Sequence, residues 1–294
     1  MTTFTHEPVL RQRCLDLLAP AISAHNAVLV DATLGLGGHT ESALTEFPNL
    51  RVIGIDRDPE ALAMSQERLA KFAPRVDFAL AVYDEIPEVL ANLNIEHVQG
   101  ILFDLGVSSM QLDNPARGFT SKLAGPLDMR MNPGKGIPAS KWLERVTPAE
   151  LAEILRENSD EPHAQILAPQ LAAKSISSTL ELAQAIRAAL SSRPEEELKK
   201  TVARVFQAIR IEVNEEFAAL DALLRSLPFS LRLGGRVAIL TFHSGEDRRV
   251  KKAFQAGQRE GIYSEIARDV IRASAAECRA NPRATSAKLR WARR

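Results

Sequence analysis

Residues 28–40 read VLVDATLGLGGHT, and this segment carries most of the information about the fold. It joins a short apolar run, typical of a strand buried on both faces, to a glycine-rich turn. Three further apolar runs follow, separated by helical stretches: RVIGID (51–56), RVDFAL (75–80) and VQGILFDLG (98–106). Apolar strands that alternate with helices predict a parallel sheet covered on both faces, hence a doubly wound α/β domain.

The alternation stops after Ser109. Residues 113–140 are rich in glycine and proline, which predicts an ordered but irregular loop. Capping-box patterns at Thr147 and Ser178 then predict two helices.

The α/β pattern resumes with a long amphipathic helix (206–224) and the strand-like RVAILTFHS (236–244). The helical segment is therefore an insertion. We predict two parts of one α/β domain, 1–112 and 203–294, on either side of an inserted helical domain for substrate recognition, 113–202.

Composition restricts the class of protein. With 294 residues, 45% apolar and 25% charged, the chain can bury a large core, which excludes global disorder. Its two cysteines, Cys14 and Cys278, form no zinc-binding spacing, so neither a disulfide framework nor a metal site is expected.

His6 and Glu7 stand where a secretory signal would be basic and then apolar, and no run is long enough to cross a membrane. We expect a cytoplasmic protein without a membrane partner, and the sequence determines no oligomeric state.

Charge is balanced overall but unevenly distributed. Lys+Arg and Asp+Glu number 37 each, whereas residues 246–294 hold 13 basic and 6 acidic side chains, an excess of +7. Charge alone favours a solvated helix surface and a charged tail. The functional interpretation is a face that contacts the phosphates of a nucleic acid.

The glycine turn suggests a cofactor. It lies between a strand and a helix, where a ligand can approach backbone N–H groups. Asp56 ends the next strand, where a carboxylate can accept a hydrogen bond from a ribose hydroxyl. A nicotinamide fingerprint needs glycine where Thr40 stands, so Asp31, Gly35 and Gly37 with Asp56 suit S-adenosylmethionine better. For the glycines alone, a tight turn beside a surface acid is an equally good explanation.

A second string, FDLGVSSMQLD (103–113), follows the fourth strand. Ligands in open α/β sheets bind at the carboxyl ends of strands, near the point where the strand order reverses. Asp104 can therefore face a substrate, although an aspartate in this position is also a common turn or capping residue.

Further strings extend over almost the whole chain: HEPVL, DATLGLGGH, IGIDRDPEA, GILFDLGVSSMQLD, RGF, GPLDMRMN, RVFQAIRIEVNEE, FHSGEDRRVK and NPRATSAKLR. With them the chain resembles the MraW (RsmH) family of bacterial 16S rRNA cytosine-N4 methyltransferases. The resemblance implies a Rossmann-like, S-adenosylmethionine-dependent domain with a helical insertion. It also implies methylation of N4 of a decoding-region cytosine, cytosine 1402, of 16S rRNA in the small ribosomal subunit.

Position by position, the resemblance implies these cofactor contacts: Gly37, Gly38, His39, Asp56, Tyr83, Asp104 and Gln111. Asp56 holds the ribose and Tyr83 flanks the adenine in this interpretation. Asp104, or the loop around Ser108 and Ser109, accepts the proton that leaves the cytosine amine. Candidates for holding the base and its phosphates are Met110, Arg117, Phe119 and Arg130.

Several strings depart from the family on the substrate side: Met110, Thr120-Ser121, Lys200–Arg204 including Ala203, Gly245 and Thr285 replace the usual residues. The cofactor strings are intact. Two alternatives therefore remain open: a noncatalytic RNA-binding or ribosome-assembly protein on a methyltransferase scaffold, and a methyltransferase with another substrate.

Overall fold

A computed structural model describes residues 7–294 of the chain; His6 of the HEPVL string lies outside the described residues. Seven strands form one sheet: β1 (Val28–Asp31), β2 (Arg51–Asp56), β3 (Val76–Leu80), β4 (Val98–Asp104), β5 (Leu231–Thr241), β6 (Glu265–Ile266) and β7 (Lys288–Arg293). Their order is β3-β2-β1-β4-β5-β7-β6, with the first five parallel and β7 antiparallel to both neighbours. The predicted α/β fold class is confirmed.

The helices are α1 (Arg11–Ile22), α2 (Gly38–Glu46), α3 (Pro59–Arg68), α4 (Ile86–Asn92), α5 (Ser109–Asp113), α6 (Ala139–Leu143), α7 (Pro148–Ser159), α8 (Ala164–Leu171), α9 (Thr179–Ala189), α10 (Glu195–Val213), α11 (Glu216–Ser230), α12 (Ser244–Arg259) and α13 (Ala275–Ala280). Short 3-10 helices occur at Ala70–Arg75, Tyr83–Glu85, Pro115–Arg117 and Pro282–Ser286. None of the helices in residues 7–294 is both long and apolar enough to span a membrane.

The chain divides into two units. The sheet unit comprises the chain up to Gly106 together with Ala218–Arg294, and the helical unit is Val107–Phe217. The boundaries inferred from the sequence, 112/113 and 202/203, both fall within the helical unit. The reason is packing: Leu112, Phe206 and Ile209 all belong to the apolar core of that unit or pack against it.

The sheet unit has three layers, because each strand buries alternate side chains on opposite faces. Leu29 and Leu102 belong to a core with α1 and α2, whereas Val30 and Phe103 belong to a core on the other face. That second core includes apolar side chains of α4, α11 and α12. Both faces of the parallel strands are covered, as their continuous apolar sequences predict.

The helical unit packs α7, α8, α9 and α10 around one core. Thr147 caps α7 in a capping box with Glu150, and Ser178 caps α9 by accepting from the N–H of Glu181. Both predicted helix starts are confirmed. The predicted irregular loop is also present, and Asn214 fixes it by bonding the backbone of Met129 and Met131.

Candidate active site

The strand order creates a natural ligand site at one edge of the sheet. From β1 the chain proceeds to β2 and β3 on one side, and then returns to place β4 on the other side of β1. The carboxyl ends of β1 and β4 thus flank a topological switch point, where open α/β sheets bind ligands. Asp31 and Asp104 are the last residues of these two strands, and Asp56 ends β2 beside them.

The glycine turn leaves backbone accessible at this edge. Gly35 and Gly37 have φ of 52° and 74°, the left-handed region that glycine adopts without strain. A Cβ on Gly35 would meet only the carbonyl oxygen of Thr33, at 3.9 Å, so the space above it is open. Gly38 begins α2 and has no such room, since a Cβ there would lie 2.5 Å from Cγ of Pro8. The turn therefore combines an open backbone with the N-terminus of a nine-residue helix.

Asp56 fixes that turn to β2. Its carboxylate accepts hydrogen bonds from the N–H of Gly35 at 2.7 Å and from the N–H of Asp58 at 2.8 Å. Burial raises the pKa of Asp56 to about 6, and the two N–H donors oppose that rise. The carboxylate is consequently ionised at pH 7 and retains lone pairs that a hydroxyl group can use.

A cluster of buried polar side chains connects β1, α2 and β4. Asp31 accepts a hydrogen bond from the hydroxyl of Thr40 at 2.7 Å, and burial raises the pKa of Asp31. His39, the next residue back along α2, is also buried, with Nε2 3.6 Å from Oδ2 of Asp104. The backbone N–H of Asp104 donates to Oγ1 of Thr33.

Some atoms of this group lack protein partners. Within the described residues, neither ring nitrogen of His39 nor Oδ1 of Asp104 has a hydrogen-bond partner, although all three atoms are buried. A buried polar atom without a partner is costly and calls for an explanation such as catalysis or ligand binding. The unpaired oxygen of Asp104 is therefore the strongest chemical signal at this edge.

Tyr83 lies in the 3-10 helix that follows β3, and its ring packs edge-to-face on Phe103 with centroids 6.1 Å apart. The segment between β3 and this 3-10 helix is hydrogen-bonded to β2, because the N–H of Ala81 donates to the carbonyl of Asp56. The structure thus brings the predicted residues of the sheet unit to one edge. Their roles toward a cofactor stay predictions.

The remaining predicted residues belong to the helical unit. Ser108 caps α5: its hydroxyl accepts from the N–H of Gln111, and Oε1 of Gln111 accepts from the N–H of Ser108. Ser109 is the first residue of that helix, and Gln111 is buried. A catalytic role for either serine and a cofactor contact for Gln111 stay predictions.

Three candidate RNA contacts have internal partners instead. Arg117 is buried and donates to the carbonyls of Arg130 and Met131. Phe119 belongs to the helical core. Arg130 forms an ion pair with Asp128 and donates two hydrogen bonds to its carboxylate. Met110 is half-buried. Arg117 and Arg130 therefore stabilise the loop after α5, and a role of the four residues in holding the target base and its phosphates stays a prediction.

Several cations of the basic C-terminal region also have acidic partners within the protein. Arg290 is buried on β7 and pairs with Asp247 of α12 at 2.7 Å, while Lys288 lies 3.5 Å from the same carboxylate. Arg249 contacts Asp221. The guanidinium of Arg290 thus joins β7 to α12, and phosphate contact by the basic region stays a prediction.

Sequence reasoning missed two threonines and one pairing. Thr33 and Thr40 anchor the acids of β4 and β1, and His39 faces Asp104. The threonines flank the glycine turn, and this position was a weak indication in the sequence that they belong to the site. No local signal marks the His39–Asp104 pair, because it depends on β4 lying beside β1.

Comparisons with known proteins identify the family of the chain. The sequence profile of the MraW methylase family matches residues 3–294. Ribosomal RNA small subunit methyltransferase H of Streptomyces avermitilis is 46% identical over 261 residues, covering 87% of this chain and 82% of the relative. The protein of the same name from Pseudarthrobacter chlorophenolicus is 41% identical over 316 residues, covering 100% and 96%.

Among solved structures, Aeropyrum pernix fibrillarin with bound S-adenosyl-L-methionine aligns with 95% of this chain and 73% of its own. The identity of 11% and TM-score of 0.41 are too low to transfer any residue or ligand. The family profile, by contrast, spans nearly the whole sequence, and both relatives align with most of it. The chain therefore belongs to the MraW methylase family.

Proposed function

We propose that this methylase uses S-adenosyl-L-methionine to methylate N4 of cytosine 1402 of 16S rRNA in the small ribosomal subunit, in the cytoplasm. Family membership and the names of the relatives support a methyltransferase that acts on small-subunit rRNA. The observation that carries the proposal is Asp104 at the switch point of the sheet, whose side chain is 28% exposed and whose Oδ1 has no hydrogen-bond partner in the described part of the chain. An exocyclic amine is a donor suited to that carboxylate.

The residues of the sheet unit fit the cofactor. The open space above Gly35 admits a ligand close to the backbone, and Gly37 and Gly38 are proposed to contact it through their backbone. Asp56, ionised at neutral pH, accepts from ribose hydroxyls, and Tyr83 and His39 complete the cofactor contacts of this unit. When bound, S-adenosylmethionine supplies an electrophilic methyl group on its sulfonium sulfur. Gln111 of the helical unit is proposed as a further contact.

The enzyme must orient a weak nucleophile. The lone pair of the cytosine amine is delocalised into the ring, so alignment with the methyl group dominates, and near-attack geometry can remove about 7 to 11 kcal/mol of barrier. The carboxylate of Asp104 accepts a hydrogen bond from the amine, which localises the lone pair on nitrogen, and then takes the departing proton. The loop around Ser108 and Ser109 is the alternative acceptor. The base reaches the site unstacked from its neighbours.

The helical unit, Val107–Phe217, is proposed to recognise the rRNA around the target base. One cytosine must be selected among many, and local RNA shape supplies information that a short sequence cannot. The departures from the family at Met110 and Ala203 lie in this unit. Selection of the subunit is thus assigned to a different part of the chain from cofactor binding.

Two measurements test the proposal. Calorimetry with S-adenosylmethionine separates an enzyme from a noncatalytic assembly protein, which has no need of an ionised acid and an open glycine turn. Mass mapping of 16S rRNA from a deletion strain, with and without the wild-type gene, then tests the target. We expect the methyl group on cytosine 1402 to disappear and return. Cofactor binding with an unchanged 16S rRNA would assign the enzyme to another substrate.

A further inference from the structure

A groove in the sheet unit runs beside α12, away from the residues assigned to the cofactor. Its volume is about 840 Å³. Lys251, Gln255 and Gln258 of α12 form one wall, and the segment Ser264–Asp269, which includes Arg268, forms the other. Phe254, Ile266 and Trp291 also line it.

The groove extends toward the carboxyl edge of the sheet, since Ile271 lines it and pairs with Leu289, the residue after Lys288. Lys288 pairs in register with Thr241, the last residue of β5, and α12 begins three residues later at Ser244. Glu246 in the first turn of α12 accepts from the N–H of Phe242, which fixes the helix to the end of the strand. Because β5 is parallel to β4, this end lies at the same edge as Asp104. A strand of RNA whose base occupies that edge can continue along α12.

The two walls are held in place. The N–H groups of Ile262 and Tyr263 donate to the carbonyl of Gly257, and the ring of Tyr263 packs on Phe254 with centroids 5.4 Å apart. A Cβ on Gly257 would lie 2.6 Å from that ring, so glycine permits the close approach. Backbone bonds from Ala267 to Trp291 and between Ile271 and Leu289 attach the far wall to β7. The groove is therefore a preformed feature of the fold.

Its polar side chains suit a sugar-phosphate backbone. Lys251 and Arg268 are exposed, and in residues 7–294 neither side chain has an ion-pair or hydrogen-bond partner. Gln255 and Gln258 add amide groups at the surface. Two carboxylates also line the groove: Glu265 lies 3.9 Å from Arg293, and Asp269 is exposed. Single-stranded nucleic acid is bound in grooves with unpaired cations that follow the backbone.

We propose that this groove binds a single-stranded segment of RNA adjoining the methylated base, with Lys251 and Arg268 contacting phosphates. The inference rests on the proposed function for the identity of the RNA. It separates the basic C-terminal residues into two groups. Lys288 and Arg290 pair with Asp247 and stabilise the junction of β7 and α12, and Arg290 also lines the groove; Lys251 and Arg268 contact the ligand.

The test measures binding of a short fluorescein-labelled single-stranded RNA by anisotropy over a series of KCl concentrations. Each phosphate contact to a single strand contributes about 0.7 to the slope of log affinity against log salt. The double variant K251Q/R268Q should therefore show a slope shallower by about 1.4. The matched control R13Q/R232Q removes two exposed cations of the same unit outside the groove and should keep the wild-type slope.

A gain-of-function variant keeps the test independent of any loss of folding. Gln255 is exposed on the groove wall, so Gln255→Lys should bind the same RNA more tightly and steepen the slope by about 0.7. Equal slopes for wild type, K251Q/R268Q and Q255K would overturn the proposal. So would a defect of K251Q/R268Q seen with purified small subunits but not with RNA, since the groove would then contact a ribosomal protein.

The readout is binding, so failure of the proposed function is distinguishable from failure of the groove. Wild-type protein could leave cytosine 1402 unmethylated while K251Q/R268Q still shows a shallower salt dependence of RNA binding. That result would contradict the target assignment and support the groove assignment. If methylation is as proposed and the slopes are equal, only the groove assignment falls. Affinity for S-adenosylmethionine should be the same in all four proteins.

Discussion

In the helical unit, the buried Asn214 accepts from the N–H of Met131 and donates to the carbonyl of Met129, whereas in the sheet unit neither ring nitrogen of the buried His39 has a hydrogen-bond partner among residues 7–294. Arg117 resembles Asn214 in bonding two backbone carbonyls of the same loop. Asp104 resembles His39, with a buried and unpaired oxygen. Asn214 and Arg117 thus stabilise the loop after α5, whereas His39 and Asp104 carry buried atoms without hydrogen-bond partners in the described residues, at the carboxyl edge of the sheet.

This contrast predicts opposite effects for substitutions in the two units. Removing a satisfied buried group should reduce stability, because its former partners are left buried and unpaired. Replacing a group without a hydrogen-bond partner should change stability little, so its effect should appear in function. The four predictions below test that difference, beginning with the largest expected effect.

Asp104→Asn should lower turnover by about 10²- to 10⁴-fold, the usual contribution of a positioned acid or base. Asparagine has the same shape, and Oδ1 of Asp104 has no protein partner to lose, so the melting temperature should change little. Single-turnover methylation and calorimetry on one preparation measure both effects. Equal losses of turnover and cofactor affinity would make Asp104 a cofactor residue only.

Asn214→Ala should destabilise the helical unit by about 3 kcal/mol, because the N–H of Met131 and the carbonyl of Met129 lose their partner inside the protein. Hydrogen exchange at Met131 and denaturant unfolding are the measurements. The matched control is Asn132→Ala in the same loop, which removes one bond to the N–H of Gly134 and should cost at most about 1 kcal/mol. Similar losses in both variants would contradict a special role for Asn214.

Cofactor affinity should fall as pH decreases through about 6. Burial raises the pKa of Asp56 to about 6, and hydroxyl donors favour its ionised form, so binding below that pH must first remove a proton. Affinity should be constant above pH 7 and decrease by up to about tenfold per unit of pH below 6. Calorimetry across this range measures it. Asp56→Asn should bind weakly with no such dependence; a dependence that persists would point to Asp31, whose pKa is also raised.

His39→Gln should produce the smallest change, a loss of turnover of about 2- to 13-fold, equivalent to a neutral hydrogen bond of 0.5 to 1.5 kcal/mol. The imidazole lies 3.6 Å from Asp104 and acts through that carboxylate in this interpretation. The double variant with Asp104→Asn should then be no slower than Asp104→Asn alone. Additive losses would show that His39 contributes independently of Asp104.

The sequence was sufficient for several elements that rest on local patterns, but the predicted long helix over 206–224 is two helices, since α10 ends at Val213 and α11 begins at Glu216. The strands β1 to β4 follow from continuous apolar runs, and Asp58 caps α3 as its position before Pro59 predicts. Asp56 and Asp104 could be placed at strand ends for the same reason. Residues that depend on distant partners could not be predicted. Arg290 looks like a surface cation, yet Asp247, 43 residues away, makes its burial possible.

The insertion has a consequence for how the chain reaches its native state. β4 pairs with β5, so the sheet can be completed only when Asp104 and Leu240 meet across the intervening helical unit. Val107 and Val213, near the two ends of that unit, pack against the same core. If the helical unit folds first, the length of the loop that must close before β4 pairs with β5 is halved about three times. The entropic cost of closing that loop is then lower by roughly 2 kcal/mol. Asn214→Ala should accordingly slow refolding of the sheet, although Asn214 belongs to the other unit.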